Sequence, residues 1–250
     1  MAPSPSPFRR ARLLLGVAGV AVAGALIGAA AFQTRGPDMA FVPVMATFVT
    51  ADGATIYVQE HEVTIDDWNR CADGGACALH LRAPRGEGAG DWPATGLNWV
   101  DVNQYLLWTN ENSRHDFRLP TRAEWVAMAE AVLPEAPPPI FTDPNLSWAS
   151  AYLTEGLGER RLRPTGSYSV SPEGIADLDG NVWEWTQDCY AGASGGATTR
   201  ENCPAFHVGG EHDAVIPFLV RDPARGGCAV GSPPAHLGMR LVTDDPLPAS

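Results

Sequence analysis

The segment Gly174 to Tyr190, GIADLDGNVWEWTQDCY, constrains the fold of this chain more than any other stretch. Its aspartates, glycine and asparagine make a tight polar loop, and Val182-Trp183-Glu184-Trp185 continues that loop as an aromatic strand. Trp183 and Trp185 stand two residues apart, so both point to the same face of the strand and form core or pocket wall. The loop can also present carbonyl and carboxylate oxygens to a hard cation.

The rest of the chain must supply what surrounds this strand, and it does so with few helices. Extended structure is expected over residues 38 to 64, where Phe41-Val42-Pro43-Val44 and Thr55-Ile56-Tyr57-Val58 flank an Asp52-Gly53 turn. Thr64 then caps a helix carrying Asp66 and Asp67 in its first turn, where the helix dipole favours acids. A second helix is expected over Val100 to Asn110, with Asn98 or Asp101 near its start. The third has a capping box, Thr121-Arg122-Ala123-Glu124, and ends before Pro134 and the Pro137-Pro138-Pro139 run. From Ile140 onward no helical period is sustained; short strands among long loops are expected, which suits a chain with 26 glycines and 22 prolines. Neither an internal repeat nor an interdomain linker is evident, so residues 32–250 form one domain.

Charge and cysteine usage narrow the setting. A formal charge of −12, with every basic side chain an arginine, excludes a non-specific nucleic-acid binder, whose affinity comes from neutralising phosphates. Arg9, Arg10 and Arg12 precede an uncharged run from Leu13 to Phe32, and Ala29-Ala30-Ala31 offers a small-residue cleavage site. Residues 1–31 therefore read as a signal peptide. The alternative is an uncleaved anchor, since about twenty apolar residues suffice to span a bilayer. Either way the remainder is expected in the periplasm or outside the cell, held at a membrane only if the anchor is kept. Five cysteines suit an oxidising compartment. Cys71 with Cys77, and Cys189 with Cys203, each bracket a short flexible loop and form the simplest pairing, leaving Cys228 as a buried thiol or an alternative partner for Cys189 or Cys203.

Four landmarks occur in order: Glu62-Val63-Thr64 followed by Trp68; Phe117-Arg118-Leu119-Pro120-Thr121-Arg122-Ala123-Glu124-Trp125; the Gly174–Trp185 segment; and Arg225-Gly226-Gly227 with Gly238-Met239-Arg240. This pattern resembles the formylglycine-generating enzyme, or sulfatase-modifying factor, family over roughly residues 40 to 242. The resemblance implies a loop-rich α+β domain with a C-type-lectin-like fold. It implies structural roles for Arg118, Glu124, Trp125, Trp183, Trp185, Arg225 and Arg240, with Arg118 and Glu124 tying a helix to neighbouring loops. It also implies a structural Ca²⁺ held by the side chains of Asp177 and Glu184 and the carbonyls of Gly180 and Val182.

The same resemblance exposes a departure. The family's oxidase activity uses O₂ and a copper ion held by two cysteine thiolates, four residues apart, after its R-G-G-S element. Here Arg225-Gly226-Gly227 is followed by Cys228 in the serine's place, and no further cysteine precedes Gly238-Met239-Arg240. Copper and formylglycine formation are therefore not expected. The leading expectation is an exported, non-oxidase binding or maturation module acting on a periplasmic protein or a small ligand. The alternative is a metal-dependent oxidoreductase, using copper or iron at a relocated site near Cys228 and His236, with His207 and His212 upstream. His61 is expected on the surface at a strand end.

Overall fold

A computed structural model of the chain describes residues 41–84, 88–133, 138, 140–143, 146, 153, 161–192, 202–211, 214–226 and 234–247. Of the two compact units, Met1–Asp38 and Met39–Ser250, the described residues all lie in the second. The export signal expected over residues 1–31 lies outside them. Among the described residues no helix is long and apolar enough to cross a membrane.

Each helix begins where its cap residues dictate. Helix α1, Ile65–Asp73, starts at Thr64, whose hydroxyl accepts the Asp67 amide at 3.1 Å. Helix α2, Trp99–Glu111, starts one residue earlier than its apolar spacing suggests, because Asn98 and Asp101 form a full capping box with both bonds at 2.9 Å. Helix α3, Arg122–Ala129, has the expected box between Thr121 and Glu124. Its last turn closes on amides of Val132 and Leu133 donating to Ala129, before Pro134.

Among the described residues eight short strands make two four-stranded sheets. The first has the order β1 (Met45–Val49), β2 (Thr55–Gln59), β8 (Val242–Thr243), β3 (Phe117–Arg118), all antiparallel. The β1–β2 turn contains Gly53 at φ +86°, a backbone region that L side chains resist. The Phe41–Val44 run is not a strand; pairing begins at Met45, opposite Gln59. The run carries Pro43, which has no N–H for a ladder. The second sheet has the order β6 (Ala214–Pro217), β5 (Ala205–Gly209), β4 (Trp183–Cys189), β7 (Leu237–Gly238). Strand β7 runs parallel to β4 and the other pairs are antiparallel. The segment from Leu237 to Thr243 thus contributes a strand to each sheet.

The larger core cluster lies against α1, α2 and the second sheet. Trp68 and Tyr105 stack across α1 and α2 with centroids 5.4 Å apart, and Trp99 stacks on Phe206 at 3.6 Å. Both tryptophans of β4 belong to this cluster, and the buried Trp185 Nε1 donates to the Leu97 carbonyl at 2.9 Å. A smaller cluster joins Phe48, Ile56 and Val58 of the first sheet to Trp125 and Met128 of α3 and to Ile175 and Leu178. Both expected disulfides form: Cys71–Cys77 staples the end of α1, and Cys189–Cys203 ties β4 to the segment entering β5.

Candidate functional site

The polar turn ahead of β4 is built on two non-glycine residues in the left-handed region, Asp177 at φ 65° and Asn181 at φ 66°. Short polar side chains that bond locally tolerate that region best. The Asp177 carboxylate accepts the amides of Gly166 and, at 2.8 Å, Tyr168. Asp179 accepts the Ser169 amide at 3.0 Å and its hydroxyl at 2.6 Å, while Asn181 accepts the Arg163 amide at 2.9 Å. Segments 163–169 and 177–181 are therefore laced together. Gly180 sits against the Tyr168 ring so closely that any side chain there would collide with it.

Behind the turn lies a buried charge cluster. Arg240 is fully buried. Its guanidinium bonds both oxygens of Glu184 at 2.8–3.1 Å and donates to the carbonyls of Gln59 and Glu60 at 2.9 Å and of Ala176 at 2.7 Å. Glu184 Oε2 also accepts Trp125 Nε1 at 2.9 Å, which pins α3 to β4. Burial works against the charge on Arg240, yet the Glu184 carboxylate outweighs it and holds the guanidinium protonated more firmly than usual. Glu62 completes the cluster. Its Oε1 accepts Asn181 Nδ2 at 3.1 Å, and its Oε2 is buried without a donor. Burial pushes the Glu62 carboxyl well above the ordinary range; Arg240 opposes the shift, and Asp177 and Glu184 reinforce it.

A second cluster lies nearer the surface. Arg118 grips Glu124 with two bonds of 2.7 Å and reaches Asp244 at 2.7 and 3.0 Å. Half-burial works against the Glu124 carboxylate, but Arg118 and the Thr121 amide win and hold its pKa below the usual range. Arg118 lowers that of Asp244 directly. The pair ties α3 to the segment after β8, a wider tie than the motif alone suggests, since Asp244 lies outside it.

The residues expected to carry calcium lie in this turn and in the strand behind it. Both oxygens of Glu184 face Arg240, and both oxygens of Asp177 accept backbone amides. Gly180 packs on Tyr168 and Val182 is buried, features of the packing around the turn and not of the two carbonyls. The Glu184 carboxylate fits the protein donors already bonded to it and, as arranged, does not fit a calcium ion. Among the described residues no group of three or more His, Cys, Asp or Glu side chains is placed to hold a metal.

The relocated redox site is not assembled by the described residues. Cys228 and His212 lie outside them. His207 is on β5, edge-on to Tyr190 at 5.8 Å, whereas His236 precedes β7 and accepts the Trp183 amide through its carbonyl. Strands β5 and β7 flank β4 on opposite sides, which separates the two histidines. Arg225 is on the surface in a 2.9 Å pair with Asp222, so it has no buried structural role comparable to that of Arg240. His61 is half-buried with Nδ1 out of solvent, deeper than a surface position.

Sequence reasoning also missed a pair of glycines. A side chain on Gly209 or Gly210 would fall inside the rings of Trp125 and Trp183 respectively, so these two positions seat both indoles. The only sequence signal was the dipeptide itself at the end of an apolar run. A groove of about 650 Å³ is lined by Trp99, Val100 and Asn103 at the start of α2 and by Asn202, Pro204 and Phe218.

Comparison with known proteins matches this arrangement to the sulfatase-modifying factor enzyme 1-like domain over residues 38–245. The chain belongs to that family. It is 26% identical over 127 residues to the formylglycine-generating enzyme of Thermomonospora curvata, covering 45% of this chain and 40% of that protein. It is 29% identical over 125 residues, with the same coverages, to the inactive C-alpha-formylglycine-generating enzyme 2 of Bos taurus. A shorter match, 29% over 98 residues and 39% of this chain, covers 14% of the serine/threonine-protein kinase pkn1 of Chlamydia caviae. The chain thus spans less than half the length of these relatives. The solved structure of PvdO from Pseudomonas aeruginosa shares the fold at a TM-score of 0.50 and 17% identity, covering 81% of this chain and 92% of that one. The α+β, loop-rich architecture expected from the motifs is the architecture observed.

Proposed function

We propose that this family member has given up copper-dependent formylglycine formation and serves as an exported binding or maturation module for a periplasmic protein or small ligand. One observation carries the reading. Of five cysteines, four are locked in the disulfides Cys71–Cys77 and Cys189–Cys203, so Cys228 alone is left and a two-thiolate copper site cannot form. Soft thiolate ligands are what select copper(I). The scaffold, by contrast, keeps its buried framework from Glu62 to Arg240. Two disulfides suit an oxidising compartment and support export.

The test is a copper-loaded turnover assay. Purified protein is supplied with Cu(I), O₂, a thiol reductant and a sulfatase-derived peptide containing the target cysteine, and aldehyde is scored by mass. No aldehyde above the protein-free control is expected. Copper-dependent aldehyde abolished by Cys228→Ser would overturn the reading. A stoichiometric redox metal in the purified protein, lost in Cys228→Ala, would favour the relocated oxidoreductase instead.

A further inference from the structure

Five oxygens converge on the Arg240 guanidinium: both from Glu184 and the carbonyls of Gln59, Glu60 and Ala176. They come from β2, from the residue following it, from the 174–181 turn and from β4, so one buried group ties together the segments that flank the polar loop. That is the work a structural calcium does, gathering about six to eight oxygens from irregular backbone. We infer that Arg240 is the resident cation of this loop and that the domain holds its shape without calcium.

Three observations support the inference. The Glu184 carboxylate is bidentate to Arg240 and takes a further bond from Trp125 Nε1, so recruiting it to a metal would strip a buried guanidinium of its partner. The Asp177 carboxylate accepts the Gly166 and Tyr168 amides, the bonds that lace segment 163–169 to the turn, so a metal there would have to share both oxygens with them. A divalent ion at Glu184 would also stand beside a fixed positive charge in a water-poor setting, where repulsion is least screened. One oxygen in the cluster does lack a donor, Glu62 Oε2, and it is the place where a cation would have to enter if the inference were wrong.

Calcium titration of the wild-type full chain decides the matter. Metal content is measured after purification in chelator-free buffer, and thermal unfolding is followed in excess EGTA and in millimolar CaCl₂. The expected result is no stoichiometric calcium and the same midpoint in both buffers. A structural site saturated to about a hundred times its dissociation constant would instead raise the midpoint by about 5–10 °C. Such a rise, or one equivalent of retained calcium, overturns the inference; its loss in Glu62→Gln would locate the ion at Glu62. Arg240→Lys, which keeps the charge but not the planar fork, is expected to unfold at lower temperature in both buffers. Recovery of its midpoint by calcium would likewise count against a calcium-independent design.

Discussion

Replacing Gly209 with alanine should be among the most damaging single-methyl changes in this domain. The added Cβ would lie well under 3.0 Å from the Trp125 ring, a separation that real Cβ atoms essentially never show. Gly209 sits at the end of β5 opposite Glu184, so the strand cannot retreat without opening the β4–β5 pairing. The indole must move instead. Overpacking a filled core costs about 1–3 kcal/mol. Displacement also breaks the 2.9 Å bond from Trp125 Nε1 to the buried Glu184, and a bond to a charged group is worth about 1.5–3 kcal/mol. Together these give a loss of about 3–5 kcal/mol, since the two effects share one ring and do not add fully. Urea unfolding followed by circular dichroism measures it directly. The control is Gly209→Ala in a Trp125→Leu background, where the alanine should cost less than about 1 kcal/mol because the ring it strikes is gone. A loss below about 0.5 kcal/mol in the wild-type background, or an equal loss in both, would refute the steric argument.

Two other outcomes follow from the ties at the edges of the fold. Glu124 and Asp244 have pKa values held down in the folded state, so their pairing with Arg118 stabilises above the ordinary carboxylate range and fades as pH falls through the folded values. Urea midpoints recorded from pH 6 down to about pH 2.5 should therefore drop less steeply for Arg118→Gln than for wild type, the two curves converging in acid; parallel curves would show that the pair contributes nothing. The disulfides should differ in weight: Cys189–Cys203 closes a separation of 14 residues and Cys71–Cys77 one of 6. Alanine replacement of each pair should cost about 3 and about 2 kcal/mol by loop-closure entropy, and denaturant midpoints showing the reverse order would rule that explanation out.

The helices were legible because their caps are local chemistry. Thr64, Asn98 and Thr121 each bond an amide within three residues, and no distant partner is needed to see it. Structural roles for Arg118 and Glu124 were legible through the family resemblance; that the two grip each other is what the structure adds. What escaped depends on partners far along the chain. Asp244 meets Arg118 across 126 residues, and Arg240 meets Gln59 across 181. The polar loop shows the difference most plainly. Its oxygens are visible as short spacing, but the bond from Arg240 to Glu184 spans 56 residues, and spacing within the loop cannot reveal it. Gly209 and Gly210 escaped because a glycine that makes room for a ring looks, in sequence, like any glycine at a strand end.

The path of Leu237–Thr243 sets an order on how this molecule can be made. That segment supplies β7 to one sheet, the inner strand β8 to the other, and Arg240 between them. Until it docks, β2 and β3 have no strand between them and Glu184 lacks the Arg240 guanidinium. Pairing across nearly two hundred residues is also slow, because loop closure must precede any gain. The two sheets can therefore close only as a joint event, and both keep unpaired edges until this one segment is in place.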